Sequence, residues 1–211
     1  MKDKILRHLE DKVSTVGFGK LPEPFLGLEY VISLCIRLSD PVVNEISDKP
    51  TQTYFHHYRC TNRLLDDAAA SLGLLLQKNG YSFYPVAASQ SVHGDGFRGI
   101  YSHKQAACLC GMGSVGKNNL FIHETLGVRV RLATVFTDCP VADRVTVPEE
   151  YRHCADCGKC ISACPAHAVS ENGFDPKACS EYMKRNFQLI GRGSVCGICM
   201  KVCPHADNRK F

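Results

Sequence analysis

The sequence predicts an α+β chain in two parts: a mixed α/β N-terminal domain over residues 1–150 and a small cysteine-bound domain over residues 151–211. Three observations predict it. Apolar residues alternate at period two over 32–38 and 128–136, as strands with one buried face do. Between those stretches, residues 51–79 carry apolar side chains at helical spacing. Beyond residue 150 the patterning changes, and eight of the thirteen cysteines fall between positions 154 and 203. That segment takes about sixty residues and leaves roughly 150, enough for one α/β domain with its own core.

Each element has its own justification. Ile5, Leu6 and Leu9 share one side of a short amphipathic helix in residues 1–12. The following VGFGKLPEPFLGLEY is loop-like in its glycines and prolines. Ile32, Leu34, Ile36 and Leu38 then alternate with Ser33, Cys35 and Arg37 as a strand, which Asp40-Pro41 ends, and a polar loop runs to Pro50. The long helix of 51–79 stops at Gly80; its His56, His57 and Arg59 read as exposed helix-face residues. YSFYPVAAS is a second strand, and SVHGDGFRGIY an irregular loop. Ser102 and Gln105 have capping-box spacing, so a helix begins at Ser102 and runs through Cys108 to the glycines. Residues 128–136 form a third strand, with Arg129 and Arg131 on one solvated face that could meet an anion. The stretch after Cys139-Pro140, through Pro148, reads as a linker, and Cys35 and Cys60 as small buried hydrophobes.

GMGSVGKNN matches G-x-G-x-x-G through Gly111, Gly113 and Gly116, and nearly matches a phosphate-binding loop through Lys117. Both matches fail on context. A magnesium-binding Ser or Thr should follow the lysine, where Asn118 stands, and a strand should precede the glycines, where the pattern is helical. A tight glycine turn remains, either structural or open to close approach by a ligand.

The cysteine pattern is the most specific signal. Cys154, Cys157, Cys160 and Cys164, followed by Pro165, spell C-x2-C-x2-C-x3-C-P, and Cys196, Cys199, Cys203 and Pro204 repeat its latter part. In two-cluster proteins of the bacterial ferredoxin type the fourth cysteine of such a run ligates the other cluster. The first 4Fe-4S cluster is therefore expected on Cys154, Cys157, Cys160 and Cys203, and the second on Cys164, Cys196 and Cys199. Position 193, where the second cluster's remaining ligand would fall, is Gly, and Cys179 is the best remaining candidate. Two structural zinc sites are the alternative, but zinc accounts neither for a third cysteine in step nor for two Cys-Pro ends. Apolar Ile161, Val169, Ile198 and Val202 are expected to shield the clusters.

The Gly113–Asn118 stretch upstream of two cluster motifs resembles the epoxyqueuosine reductase family and, more distantly, the reductive dehalogenases, over nearly the whole chain. The resemblance implies an N-terminal domain that holds cobalamin, through Gly111, Gly113, Gly116, Lys117 and Asn118, next to the cluster completed by Cys179. The family's catalytic aspartate, counted back without gaps, falls on Phe97, with Asp95 two residues away; His93, Asp95, Tyr101 and His103 are the candidate proton donors. The family's C-terminal helical-repeat domain has no counterpart in these residues, so a short form is expected. Two functions follow: a cobalamin-dependent reductase fed by a low-potential ferredoxin- or flavodoxin-type donor, acting on tRNA or another substrate, or an electron-transfer protein that serves a corrinoid protein.

Composition agrees with a soluble, cytoplasmic setting. Thirteen cysteines is an odd count, the first twelve residues lack a signal peptide's apolar core, and no apolar run approaches the ~18 residues a bilayer span needs. The net charge of +4 is spread along the chain and by itself points to neither nucleic acid nor membrane.

Overall fold

The computed structural model describes residues 1–89, 97–143, 145–146, 154 and 156–206. The fold is α+β, and its chain divides into two compact units that interleave in sequence. One comprises Met1–Arg37, Thr61–Gly113 and Arg131–Glu149; the other comprises Leu38–Cys60, Ser114–Val130 and Glu150–Phe211. The sequence places a single boundary at residue 150. In the structure 38–60 and 114–130 group with the cysteine-rich residues as well.

The first unit is built on a four-stranded sheet of order β1-β2-β6-β3, formed by Thr15–Phe25, Leu28–Arg37, Val130–Thr137 and Phe83–Val86. The stretch expected to be a loop is β1. It pairs antiparallel with β2 from Thr15↔Cys35 to Lys20↔Tyr30, and the register slips before Phe25, where Pro22 and Pro24 cannot donate to a ladder. Leu26 and Gly27, both at positive φ, close the two-residue hairpin. The glycines of β1 serve packing, not turning. A Cβ on Gly17 would collide with Met112 and lie 2.7 Å from Cys110 Cβ, and one on Gly19 would lie 2.8 Å from the Leu109 carbonyl oxygen. Strand β1 thus gives up side chains so that the end of α4 (His103–Leu109) can lie on it.

Helix α1 (Lys2–Leu9) buries Ile5 and Leu9 and leaves Leu6 exposed. Those two residues join Leu65, Ala68, Ala69, Leu72 and Leu76 of α3 (Gln52–Gln77) against Ile32, Leu34, Ala133 and Val135 of the sheet. Gly80, at φ +81, follows α3 as the expected stop. On the sheet's other face Val31, Val86 and Phe136 pack with Ala106 and Leu109 of α4. Strand β6 is therefore covered on both faces and is not the half-solvated strand its arginines suggest. Arg131 Nε donates to Asn62 Oδ1 at 2.9 Å. Ser102 caps α4 by accepting from the Gln105 amide at 3.3 Å, as its spacing predicts.

In the second unit the loop expected before Pro50 contains a short helix, α2 (Asp40–Asn44), with Pro41 in its first turn. Its Asp40 and Asn44 receive the buried guanidinium of Arg129 at 2.7 and 2.9 Å. Strands β4 (Gly113–Val115) and β5 (Phe121–His123) form a two-stranded sheet, as do β7 (Val169–Ser170) and β8 (Gly173–Phe174). Short helices α5 (Lys159–Ala163) and α7 (Ile198–Lys201) carry cysteines, and α6 (Pro176–Asn186) stands between them in sequence. Val169 and Ile198 are buried as expected, whereas Ile161 and Val202 are only partly so. The unit's core needs more than its C-terminal residues can supply: Leu38, Val43, Ile46, Tyr54, Ile122 and Val128 pack with Phe187, Val195, Ile198 and Met200.

Candidate metal centre

Cys154 is followed by a turn in which the Cys157 amide donates to the Cys154 carbonyl at 3.4 Å. Gly158 then opens α5, which carries Cys160 in its first turn. Cys164 sits at the helix end with extended backbone (φ −74°, ψ 109°), so the chain leaves the helix at this residue. Asp175 caps α6, accepting from the Lys177 and Ala178 amides at 2.9 and 3.0 Å, and Pro176 presets the first turn in which Cys179 follows. Gly197, left-handed at φ +85°, turns the chain between Cys196 and the helix that bears Cys199; a Cβ there would stand 2.7 Å from Ile46 Cδ1.

All thirteen cysteines are free thiols, and the eight of the cluster motifs lie in the second unit. Their electrostatics sort them into two groups. Burial pushes the Cys203 thiol up to about 11, and Cys154, Cys160 and Cys157 add to the shift. Cys160 is raised by burial, then by Cys154 and Cys157. Cys179 is pushed up to about 11 by burial, then by Cys196 and Cys164, and Cys196 is raised by burial and by Cys164. Cys199 is raised furthest, by burial first and then by Cys196, Cys179 and Cys164, with Cys160 as a last contributor across the groups. Cys164 is therefore a neighbour of the later cysteines and Cys203 of the earlier ones.

Among the described residues no three His, Cys, Asp or Glu side chains converge tightly enough to hold a single metal ion. The two fours are sets of neighbours, not sets closed on one ion. Backbone amides are directed at the sulphurs, from Ile161 toward Cys160, Ile198 toward Cys196 and His205 toward Cys203, each favouring the thiolate. Buried and half-buried thiols with amide donors aimed at three of them fit iron–sulphur ligation, where hydrogen bonds to sulphur and burial set the potential.

The three glycines of the apparent nucleotide motif have three separate roles. Gly111, at φ +69°, closes α4: its amide bonds the Cys108 carbonyl at 2.9 Å, and the Met112 amide bonds that of Ala107 at 3.0 Å. Gly113 belongs to β4. Gly116 lies against the cysteines, so that a Cβ there would stand 3.2 Å from Cys154 Sγ. Lys117 Nζ is 2.5 Å from Glu171 Oε2. Asn118 is buried; its Nδ2 donates to the Cys199 carbonyl at 3.3 Å, and its Oδ1 accepts from the Leu120 amide at 3.2 Å. Glu171 carries no sequence signal, since it stands 54 residues from its partner.

His93 and Asp95 lie outside the described residues. Tyr101 packs edge-on against Phe136 and Phe25, with centroids at 4.8 and 5.7 Å, and burial raises its phenol. His103 Nδ1 is 2.8 Å from Thr134 Oγ1 and Nε2 is 2.9 Å from the Ala87 carbonyl oxygen. The carbonyl can only accept, which places the proton on Nε2, and burial favours the neutral ring. Both residues are engaged in holding α4 and its approach to the first unit's sheet. Sequence reading passed over the neighbouring Lys104, whose ammonium burial pushes down to about 8.

No protein-family model matches the chain. Over 160 residues it is 27% identical to a tetrachloroethene reductive dehalogenase of Desulfitobacterium hafniense, a match covering 65% of this chain and 26% of the relative. Over 112 residues it is 30% identical to an epoxyqueuosine reductase of Pseudomonas aeruginosa, covering 48% of this chain and 30% of the relative. The matches thus span about a quarter to a third of these curated relatives. Among solved structures, a reductive dehalogenase described for B12-dependent dehalogenation superposes with a TM-score of 0.72 at 21% identity, over 94% of this chain and 30% of the other. An epoxyqueuosine reductase bound to an epoxyqueuosine-modified tRNA stem loop superposes with a TM-score of 0.61 at 18% identity, over 100% of this chain and 66% of the other. At these identities the structures establish the fold alone. No helix among the described residues is long and apolar enough to cross a membrane.

Proposed function

We propose that this epoxyqueuosine reductase-like, dehalogenase-related chain is an iron–sulphur oxidoreductase that carries electrons, one at a time, toward a corrinoid at which a substrate is reduced. The first 4Fe-4S cluster is assigned to Cys154, Cys157, Cys160 and Cys203, and the second to Cys164, Cys179, Cys196 and Cys199. The observation that supports the assignment is the grouping of eight buried or half-buried thiols, in which Cys179 neighbours Cys196 and Cys164 while Cys203 neighbours Cys154, Cys160 and Cys157. When bound, the clusters supply one-electron transfer and the corrinoid supplies the substrate chemistry. The chain's own residues hold and dehydrate the sulphurs, direct amides at them, and keep Cys199 in place through Asn118.

The corrinoid is supported by the likeness to a B12-dependent dehalogenase and to epoxyqueuosine reductases. Gly116, Lys117 and Asn118, assigned to it by resemblance, lie in a turn where Gly116 also packs against Cys154 and Asn118 also bonds the Cys199 carbonyl. Asp95 remains the proposed proton donor, and a ferredoxin- or flavodoxin-type protein the proposed electron source. A second reading is favoured by the internal engagement of Tyr101 and His103: the chain passes electrons to a corrinoid protein and has no substrate of its own.

Anaerobically reconstituted protein should contain about eight iron and eight sulphide per chain. With cobalamin, a low-potential reductant and an epoxyqueuosine-containing stem loop, turnover that is lost in Asp95→Asn supports the reductase. Cobalamin reduction without substrate turnover supports the electron-transfer reading, and stoichiometric zinc in place of iron removes both.

A further inference from the structure

We propose that Lys117 sets the reduction potential of the first cluster and that Glu171 moderates its effect. The proposal rests on the two-cluster reading and goes beyond it by assigning opposite electrostatic roles to two residues outside both ligand sets.

The turn that begins at Gly116 is fixed against the cysteines at two points. Gly116 leaves just enough space for Cys154 Sγ, 3.2 Å from where its Cβ would be. Two residues on, buried Asn118 grips the Cys199 carbonyl. Lys117 lies between these points, so its side chain starts from backbone held beside the first cluster's ligand. Cys154 and Asp156 both act on the ammonium, after Glu171.

The two partners differ in their contact with water. The Lys117 side chain is 11% exposed and that of Glu171 is 66% exposed. Solvent screens the exposed Glu171 carboxylate more than the ammonium, so the carboxylate offsets the cation's field at Cys154 only in part. A cluster that takes up one electron gains one negative charge. A nearby cation stabilises that reduced form and raises the potential, whereas an anion that offsets the cation lowers it.

An ion pair that merely fastened the turn would behave differently: losing either partner would loosen the same contact and move the cluster the same way. The electrostatic role predicts opposite signs. In an anaerobic redox titration followed by electron paramagnetic resonance, with dithionite supplying the electrons, Lys117→Gln should lower the first cluster's midpoint. At the wild-type midpoint its ratio of reduced to oxidised cluster should fall about threefold. Glu171→Gln should shift that ratio upward, Lys117→Arg should restore the wild-type value, and the second cluster should stay within error throughout. The first cluster's signal is isolated by repeating the titration in Cys179→Ala, which removes a ligand of the second. With iron and sulphide at full occupancy, unmoved midpoints, or midpoints that move the same way in Lys117→Gln and Glu171→Gln, overturn the proposal. Wild-type protein that fails to bind about eight irons refutes the two-cluster reading itself.

Discussion

Lys104 stands in the first turn of α4 with its ammonium pushed down to about 8 by burial, Cys108 partly opposing the shift. A lysine depressed in the fold favours the unfolded chain while it is charged. Below about pH 8 both states hold the proton and the full cost is present. From there toward 10.5, the ordinary value, the unfolded state binds more protons, so this residue's contribution to stability rises with pH. Lys104→Met should therefore stabilise the chain by about 2 kcal/mol at pH 7, less than the full shift implies because the side chain is not wholly buried. That advantage should shrink between pH 8 and 10. Urea unfolding of both proteins at pH 7 and pH 10 measures it, and a pH-independent difference would show that the lysine is already neutral or solvated.

Glycine-rich segments carry the next scale of argument, because the same residue marks different elements. In β1, Gly17 and Gly19 are strand residues pared down so that the end of α4 can approach. A reading based on turn propensity takes them as a loop, since the residues they accommodate, Leu109, Cys110 and Met112, lie some ninety positions away. Gly17→Ala should cost about 1–3 kcal/mol by overpacking, as Cys110 Cβ lies 2.7 Å from the new methyl and cannot swing aside as Met112 can. The turn from Gly116 to Leu120 makes the complementary point. Asn118 satisfies one backbone donor and one backbone acceptor from a buried position, so Asn118→Ala should cost about 1–3 kcal/mol, read as a lower denaturant midpoint at unchanged slope. By contrast, the Ser102 cap, helix α3 and the strand at Ile32 were legible because each is specified by neighbours in sequence.

Across the whole molecule, the cysteine spacing is local and legible, whereas the residues that pack around it are not. Cysteine spacing is a local signal, so the two proposed fours and the candidacy of Cys179 rest on residues close in sequence. The recruitment of 38–60 and 114–130 into the cysteine-bearing unit left no local mark, because Ile46, Tyr54 and Ile122 look like any core residues until Val195, Ile198 and Met200 are seen against them. Cys179 provides the decisive test at this scale. It lies on α6 behind the Asp175 cap, apart from both motifs, yet it is coupled to Cys196 and Cys164. If it is the second cluster's fourth ligand, Cys179→Ala should halve the iron and sulphide content while leaving the signal of the cluster on Cys154, Cys157, Cys160 and Cys203 intact. Cys60→Ala, a cysteine of the same unit that belongs to neither four, should leave the content at about eight. Equal losses in the two variants would mean that Cys179 acts through folding and not ligation, and full occupancy in Cys179→Ala would require a ligand from elsewhere in the chain.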